Sequence, residues 1–410
     1  MNCVPECGKR NPADRIGQHL VTMRRVYFDN AASTPVSEAV IDAMLPVLRE
    51  QFGNPSSIYA EGRSARALIE SARKTVAHCI GASTADVFFT SGGTESNNMA
   101  IKCAVRDRGV RRIISSPTEH HCGLHSIESV VEHDGVEVVW LPVDALGRVD
   151  LFALEQALAE PGSPKTLVSL MHANNEIGTM LDLERVSALC LQYSSLLHTD
   201  TVQTVGHFDL NVREIPVHFL AGSAHKFHGP KGTGFLYVNP DTPIKPFVDG
   251  GAQERNMRGG TENVYGIVGL AKALETAVAE MESRRTHIAA IRQYLRERLQ
   301  DTFDDIGFNG DVDGNTLYTV LSVSFPPSPK NELLLLNLDI AGISTSGGSA
   351  CASGAEKGSH VLSAIGADPE RKSVRFSFSH YNTREEVDYV VEKLRGMLPA
   401  RTLEHSSANH

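Results

Sequence analysis

One lysine of the chain lies in a polar, glycine-rich segment that could do carbonyl chemistry. Lys226 is part of the run Ser223-Ala-His225-Lys226-Phe-His-Gly-Pro-Lys231-Gly232. A lysine attacks a carbonyl group only as the free amine, and positive neighbours such as His225 and Lys231 favour that form. Shortly upstream, Asp200 ends an apolar, strand-like run. A carboxylate there could keep the pyridine nitrogen of a cofactor protonated, so the two residues together predict a site for pyridoxal 5'-phosphate (PLP).

A second segment is suited to a phosphate group. The run Thr90-Ser-Gly92-Gly93-Thr94-Glu95 follows a strand-like segment and begins a helical one. Free backbone N–H groups and the positive end of a helix dipole bind anions at such a position, and the Thr94 hydroxyl adds a donor. The same residues are also ordinary helix-start chemistry, so the motif alone leaves both interpretations open.

The segment Thr118-Glu-His120-His121-Cys122-Gly-Leu-His125 offers two kinds of chemistry. His121 and His125 would lie one helical turn apart with Cys122 near them, which is part of a zinc pattern. The sequence identifies neither a third ligand nor supporting residues, so we expect no metal. A histidine that stacks on a flat cofactor and moves protons near neutral pH is the better use of this segment, and His120 is the candidate.

Two further polar positions could contact a cofactor or a substrate. Asn174 follows an apolar run and offers an amide to a phenolate oxygen or a carboxylate, although a plain polar turn has the same composition. Arg375 lies in a strand-like run of alternating pattern. Its planar guanidinium suits a substrate carboxylate and an ordinary salt bridge equally well.

The second catalytic candidate is Cys351. The seventeen residues from Ser344 to His360 include four glycines and five serines. This composition predicts a mobile loop that buries little, so its only cysteine is not a core residue. An exposed thiol is a chemical liability unless it is used. The loop therefore predicts a nucleophile or a sulfur carrier.

The composition excludes several classes of protein. The 410 residues are 41% hydrophobic and 21% charged, which is typical of a globular protein large enough for two cores. The net charge of −10 argues against nucleic acid as a partner. Seven cysteines without a paired spacing predict free thiols in a reducing, cytoplasmic setting. We find neither a signal peptide nor an apolar run of about 18 residues, so no membrane partner is expected.

Helical and short apolar segments alternate along the first two thirds of the chain and predict an α/β fold with a large, mostly parallel sheet. The strand-like segments are Val87 to Thr90, Arg112 to Ser115, Val136 to Leu141, Thr166 to Met171, Ser195 to Thr199 and Gly234 to Val238. Ligands of such sheets lie outside the carboxyl ends of the strands, where polar residues follow several of these segments. One cleft could therefore collect the candidate residues.

The same pattern predicts the domains. A long charged helical stretch, roughly Tyr265 to Phe303, would join this part to a smaller α/β domain with strands at Tyr318 to Ser324 and Ser373 to Phe378. The chain would divide into a flexible extension at residues 1–22, a large cofactor-binding domain at 37–280, a small domain at 23–36 and 281–400 that carries the Cys351 loop, and a flexible tail at 401–410.

Taken in order, the motifs resemble those of a cysteine desulfurase, in the class V aminotransferase group of fold-type I PLP enzymes. The similarity extends from Val26 to about Leu398. Besides the motifs above, it rests on Tyr27-Phe-Asp29-Asn30-Ala-Ala-Ser-Thr-Pro35, Gly53-Asn54-Pro55-Ser56-Ser57, Asn174-Asn-Glu-Ile-Gly178, Arg258-Gly-Gly-Thr261-Glu-Asn263 and Ser349-Ala-Cys351.

The resemblance implies a role for each candidate toward the cofactor. Lys226 would hold its aldehyde, Asp200 would pair with its pyridine nitrogen, and His120 would stack on its ring. Gln203 and Asn174 would approach the ring phenolate. The phosphate would be held at the helix start and after the lysine-bearing strand, by Gly93, Thr94, Ser223 and His225.

The resemblance also implies partners and a reaction. Thr261 would reach the phosphate of a neighbouring subunit, which implies a homodimer, while Arg375 and Asn174 would bind the substrate carboxylate. Sulfur would leave L-cysteine, giving L-alanine and a persulfide on Cys351. An acceptor or scaffold protein would then receive the sulfur for iron–sulfur clusters or other products. Two departures, Ala352 in place of a frequent threonine and Glu356-Lys357-Gly358 in place of a Glu-Pro pair, leave that partner open.

Four other functions stay open. A selenocysteine lyase shares the fold, the cofactor and a loop cysteine. A PLP transaminase leaves Cys351 unexplained. A non-catalytic PLP-binding regulatory protein is at odds with the presence of both Lys226 and Cys351. A nucleotide-binding protein is the fourth, although this chain has no Gly-x-Gly-x-x-Gly after a strand, the motif expected of that class.

Overall fold

The computed structural model describes residues 24–328, 331–347 and 358–399. The predicted extension at 1–22, the predicted tail at 401–410 and Cys351 lie outside the described residues. Those three predictions therefore stay predictions.

The described chain folds into alternating strands and helices. In chain order the strands are β1 (Val26–Tyr27), β2 (Val87–Thr90), β3 (Arg112–Ser115), β4 (Glu137–Trp140), β5 (Thr166–Met171), β6 (Leu196–Asp200), β7 (Phe219–Ser223), β8 (Gly234–Val238), β9 (Gly307–Asn309), β10 (Val320–Phe325), β11 (Ile343–Ser344) and β12 (Lys372–Ser377). The helices are α1 (Glu38–Glu50), α2 (Ala60–Cys79), α3 (Gly93–Arg108), α4 (His121–Asp134), α5 (Leu151–Ala159), α6 (Leu183–Gln192), α7 (Val264–Ala279), α8 (Met281–Thr302), α9 (Leu334–Ile340), α10 (His360–Ala364) and α11 (Arg384–Met397). Within the described ranges, none of the helices is long and apolar enough to cross a membrane.

A seven-stranded sheet forms the larger part of the molecule, in the order β2-β8-β7-β6-β5-β3-β4. Strand β8 runs antiparallel to both of its neighbours, and the pairs among β7, β6, β5, β3 and β4 are parallel. The predicted α/β class with a large, mostly parallel sheet is confirmed. Strand β7 is absent from the prediction. Its Gly222 leaves room for the Phe235 ring, since a Cβ there would lie 2.4 Å from that ring.

Apolar side chains cover both faces of this sheet. Neighbouring residues of a strand point to opposite faces, and Leu167 and Val168 accordingly belong to two different cores. Helices α1, α2, α5, α6 and α7 supply residues to the first core, and α3 and α4 to the second. Because both faces are buried, the central strands are continuous apolar runs, which is why the sequence pattern located them.

A third core lies between the antiparallel sheet β12-β10-β9 and helices α8, α9 and α11. The parallel pair β1–β11 joins the start of the described chain to this region. The predicted helical stretch from Tyr265 to Phe303 consists of two helices, because α7 ends at Ala279 and α8 begins at Met281. Glu280, with φ −104° and ψ 8°, breaks the helix. The break lets α7 pack against the large sheet while α8 packs into the third core.

A buried ion pair ties α2 to the segment that precedes Thr261. Arg73 donates to both carboxylate oxygens of Glu254, at 2.7 and 2.9 Å, and the same carboxylate accepts the Phe89 backbone N–H at 2.8 Å. Only 2% and 3% of the two side chains are exposed. This pair therefore connects a helix, a sheet strand and a loop at one buried point.

We expect Arg73→Met to lower the free energy of unfolding by about 3–5 kcal/mol, because the Glu254 carboxylate would stay buried without its cation. Urea unfolding followed by circular dichroism measures the change. The matched control is Lys272→Met, which removes the cation of an exposed pair with Glu275 and should cost less than about 1 kcal/mol. Equal losses in the two variants would contradict the importance of burial.

Candidate active site

A cavity of about 230 Å³ lies at the carboxyl ends of three neighbouring strands. Met171, Asp200 and Ser223 are the last residues of β5, β6 and β7, and all three line it. The carboxyl ends of parallel strands meet at one edge of the sheet, where ligands of α/β proteins bind. The location therefore agrees with the cleft expected from the sequence.

Most of the predicted site residues line this cavity. They are Gly93, Thr94, His120, Asp200, Gln203, Ser223, His225, Lys226 and Arg375. Asn174 does not line it, but its neighbour Asn175 does. Thr261 lies in a separate cleft, together with Arg258 and Asn263. Cys351 lies outside the described residues.

Asp200 is held by two donors. Its Oδ1 accepts the backbone N–H of Val202 at 2.9 Å, and its Oδ2 accepts the side-chain amide of Asn97 at 2.6 Å. Only 8% of Asp200 is exposed. These bonds fix the carboxylate at the cavity wall, where it can accept a further N–H from a ligand.

Lys226 enters the cavity from a short turn that follows β7. Its Nζ donates to the backbone carbonyl oxygens of Ala31 and Ala32, at 2.5 and 2.9 Å. Gln203 Nε2 also donates to the Ala31 oxygen, at 3.1 Å. The segment after β1 therefore positions both side chains. Burial, together with the charges of Lys226 and Lys231, lowers the pKa of His225 to about 4, so its ring is neutral at pH 7.

The start of α3 forms the other end of the site. Gly92 has φ +150°, a conformation that glycine adopts readily. A Cβ on Gly93 would lie 2.5 Å from Val202 Cγ2, so only glycine fits there without a shift of its neighbour. Thr94 and Ser223 line the depression above these glycines. Backbone N–H groups at such a helix start can bind a phosphate.

His120 immediately precedes α4 and acts as its N-cap. Its Nδ1 accepts the backbone N–H of Cys122 at 3.2 Å, and the Cys122 Sγ lies 2.9 Å from the same nitrogen. Burial lowers the pKa of His120; the charge of Asp200 opposes this shift, and the charge of Lys226 adds to it. The ring is therefore neutral near pH 7 and able to accept a proton.

Arg375 is buried in β12 and reaches the cavity from the smaller sheet. Its Nη1 donates to the Asn175 carbonyl at 2.9 Å and its Nη2 to Asp29 Oδ1 at 2.8 Å. Its Nε has no hydrogen-bond partner within the described residues. Nη1 and Nη2 each carry a second N–H, so the guanidinium keeps donors for a carboxylate ligand.

Asn174 is engaged in its own turn. Its Nδ2 donates to the Thr118 carbonyl at 2.8 Å, and its Oδ1 accepts the backbone N–H groups of Glu176 and Ile177 at 2.9 and 3.1 Å. These contacts position the turn that carries Asn175. The role of Asn174 toward a cofactor or a substrate stays a prediction.

The sequence analysis missed several residues of the site, among them Asn97 and Ala31. Asn97 bonds to Asp200, and Ala31 binds Lys226 through its backbone. Asn97 follows Gly93 by one helical turn, so the two lie on one face of α3, and this spacing was an available signal. A backbone acceptor such as Ala31 leaves no signal in side-chain chemistry. His121 and His125 have ring centroids 5.3 Å apart, and no group of three or more metal-ligating side chains is found among the described residues.

Comparison with known proteins agrees with this geometry. The profile of the aminotransferase class-V family matches residues 26–390. A curated relative from Dictyoglomus turgidum, named cysteine desulfurase IscS, is 44% identical over 92% of this chain and 97% of its own length. A solved structure described as a NifS-like protein is 37% identical, with a TM-score of 0.83 over 91% of this chain and 99% of that one. Another, described as SspA in complex with cysteine, is 32% identical, with a TM-score of 0.75 over 88% and 100% of the two chains.

The fold and the site define a PLP-dependent enzyme of fold-type I, as the sequence predicted. The chain belongs to the aminotransferase class-V family and, within it, to the cysteine desulfurases.

Proposed function

We propose that this chain binds PLP and converts L-cysteine to L-alanine, leaving a persulfide on Cys351. The observation that supports this most directly is the convergence of Lys226, Asp200, His120 and Arg375 on one cavity, from elements distant in sequence. These four side chains are of the types needed to hold a carbonyl cofactor, tune its ring, move a proton and bind an amino-acid carboxylate.

The cavity fits PLP at three points. The start of α3, with Thr94 and Ser223, lines a depression where backbone N–H groups can hold a phosphate. Asp200 presents a carboxylate for a pyridinium N–H, and Lys226 presents an amine for the aldehyde. When bound, PLP supplies an electron sink for the electron pair released at the substrate carbon.

The protein's own residues account for the remaining steps. Arg375 binds the substrate carboxylate, and Lys226 removes the proton from the substrate Cα and later returns it. The neutral His120 donates a hydrogen bond to the substrate sulfur, and the proton of the substrate thiol is the one that completes the methyl group of alanine. The Cys351 thiolate attacks the substrate sulfur, so that an S–S bond forms while the Cβ–S bond breaks.

These steps balance without an external oxidant or reductant. The electron pair of the broken Cβ–S bond stays with carbon, and a proton completes the methyl group of alanine. The two sulfurs are oxidised as the carbon is reduced. The outer sulfur of the persulfide then passes to an acceptor or scaffold protein. We expect this transfer to take place in the cytoplasm.

We also propose a homodimer, which an exposed apolar surface supports. Ile41, Leu45 and Leu48 lie on one face of α1, and Phe52 and Ile58 follow that helix. Phe52 is 84% exposed and Ile58 is 90% exposed. An apolar strip of this kind is typical of an interface between chains. Thr261, placed apart from the cavity of its own chain, is then available to the cofactor of the neighbouring subunit.

The test is the release of alanine and sulfide from L-cysteine with a reductant, using PLP-loaded wild type and Cys351→Ala. We expect equal amounts of both products from the wild type and none above background from the variant, because the persulfide cannot form. Cys79→Ala, which changes a half-buried thiol outside the cavity, is the matched control.

Two results would contradict this function. Activity that persists in Cys351→Ala would indicate a direct lyase, and rates on L-selenocysteine would then identify a selenocysteine lyase. A wild type that binds PLP but releases neither alanine nor sulfide would indicate a non-catalytic PLP-binding protein.

A further inference from the structure

A chain of hydrogen-bonded polar side chains connects the two residues expected to face the cofactor, Asp200 and His120. Asn97 and His198 are 1% and 2% exposed. Asn97 stands at the centre of this chain, because its single amide contacts Asp200, His198 and Cys122. The chemistry proposed above uses none of these three contacts.

The direction of each hydrogen bond follows from the carboxylate. An ionised carboxylate only accepts, so the Asn97 Nδ2 must face Asp200, at 2.6 Å. The Asn97 Oδ1 then faces His198 Nε2 at 3.0 Å, and this nitrogen must carry the ring proton. His198 Nδ1 therefore accepts from the Ser169 hydroxyl, at 2.9 Å. Burial lowers the pKa of His198 to about 4, which agrees with a neutral ring.

The second amide hydrogen of Asn97 extends the chain toward His120. Asn97 Nδ2 lies 3.1 Å from Cys122 Sγ, so the sulfur accepts on that side. The Cys122 thiol is protonated, since burial raises its pKa to about 12. Its S–H is then available to His120 Nδ1, at 2.9 Å. The same nitrogen accepts the backbone N–H of Cys122 at 3.2 Å, so it carries no proton itself.

We propose that Cys122 is a positioning residue that, together with Asn97, joins His120 to Asp200 and holds His120 as the tautomer protonated on Nε2. The use of that tautomer rests on the proposed function: Nε2–H would be the hydrogen-bond donor that the ring offers to the substrate, because Nδ1 is occupied by Cys122. Cys122 also lines the cavity, but its role in this proposal is exerted through His120 and Asn97. Asp200, Lys226, His121 and His360 are the other charged or titratable groups that act on this ring.

The first experiment is ¹⁵N NMR of the PLP-loaded wild type with labelled histidine, and His120→Gln identifies the His120 signals. We expect a ring proton on Nε2 and none on Nδ1 at pH 8. A proton on Nδ1 overturns the proposal. This measurement needs no turnover, so its outcome is independent of whether L-cysteine is the substrate.

The second experiment follows the same signals through a pH titration in Cys122→Ala, Cys122→Ser and Cys190→Ala. An S–H donor stabilises the neutral ring, so its loss should raise the proton affinity of His120 about tenfold in the alanine variant. The serine variant keeps a donor and should lie within about twofold of the wild type. Cys190 is a buried cysteine whose pKa is also raised by burial to about 12, but it lies outside the cavity, so its variant should titrate like the wild type.

Activity measurements then link the tautomer to the reaction. In Cys122→Ala the acid-side fall of kcat should occur at a higher pH than in the wild type. In Cys122→Ser it should occur near the wild-type pH. A Cys122→Ala protein that titrates as the wild type does overturns the proposal. If that variant does not fold, the tautomer that NMR finds in the wild type decides whether the proposal holds. A wild type without desulfurase activity refutes the proposed function, whatever the tautomer.

Discussion

Replacement of Lys226 by alanine is expected to lower kcat for L-cysteine by about 10⁴-fold or more. Among the described residues, Lys226 is the only lysine that lines the cavity. Its amine has two proposed tasks, to hold the cofactor and to move the substrate α-proton. Arginine cannot take over either task, because its guanidinium stays protonated. Lys226→Arg should therefore be as inactive as Lys226→Ala.

The measurement combines steady-state alanine formation with borohydride reduction and mass spectrometry. Reduction should attach the cofactor permanently to the wild-type peptide that contains residue 226 and leave that peptide unmodified in the variant. Lys231→Ala is the matched control, since Lys231 lies in the adjoining depression and not in the cavity. Activity of Lys226→Ala within about tenfold of the wild type would disprove the assignment.

Replacement of Asp200 by asparagine should lower kcat/KM for L-cysteine by about 10²- to 10³-fold. The change keeps the shape of the side chain and removes its charge. A neutral amide cannot hold the pyridine nitrogen of PLP protonated, so the electron sink weakens. The single oxygen of the new amide can accept from Asn97 Nδ2 or from the Val202 N–H, so one of the two hydrogen bonds is kept and the fold should be retained.

The experiment compares kcat/KM with the visible absorption of the bound cofactor as pH is raised. In Asp200→Asn the pH at which the visible absorption of the bound cofactor changes should differ from the wild-type value. The melting temperature should change little. Asp209→Asn is the control, because Asp209 lines a different cleft. Wild-type kcat/KM in Asp200→Asn would show that the carboxylate does not act on the cofactor ring.

The predicted strands agree with the observed ones where the sequence signal lies within a few consecutive residues. The predicted segments Val87 to Thr90, Arg112 to Ser115, Thr166 to Met171 and Gly234 to Val238 coincide with β2, β3, β5 and β8. These strands are buried on both faces, so burial itself produced the apolar runs. The break at Glu280 left no such signal, because α7 and α8 continue one helical pattern across it and each packs into a different core.

The sequence by itself determined the chemical groups of this protein: a lysine among positive neighbours, a carboxylate at the end of a strand, and a glycine pair at a helix start. Each of these features depends on residues close together in the chain, so the spacing of those residues is enough to recognise it. The tertiary structure alone decided which distant groups meet. Arg375 contacts Asp29 across 346 positions, and Asn97 contacts Asp200 across 103. Such contacts depend on how helices and strands pack, and side-chain spacing along one element carries no information about a partner on another.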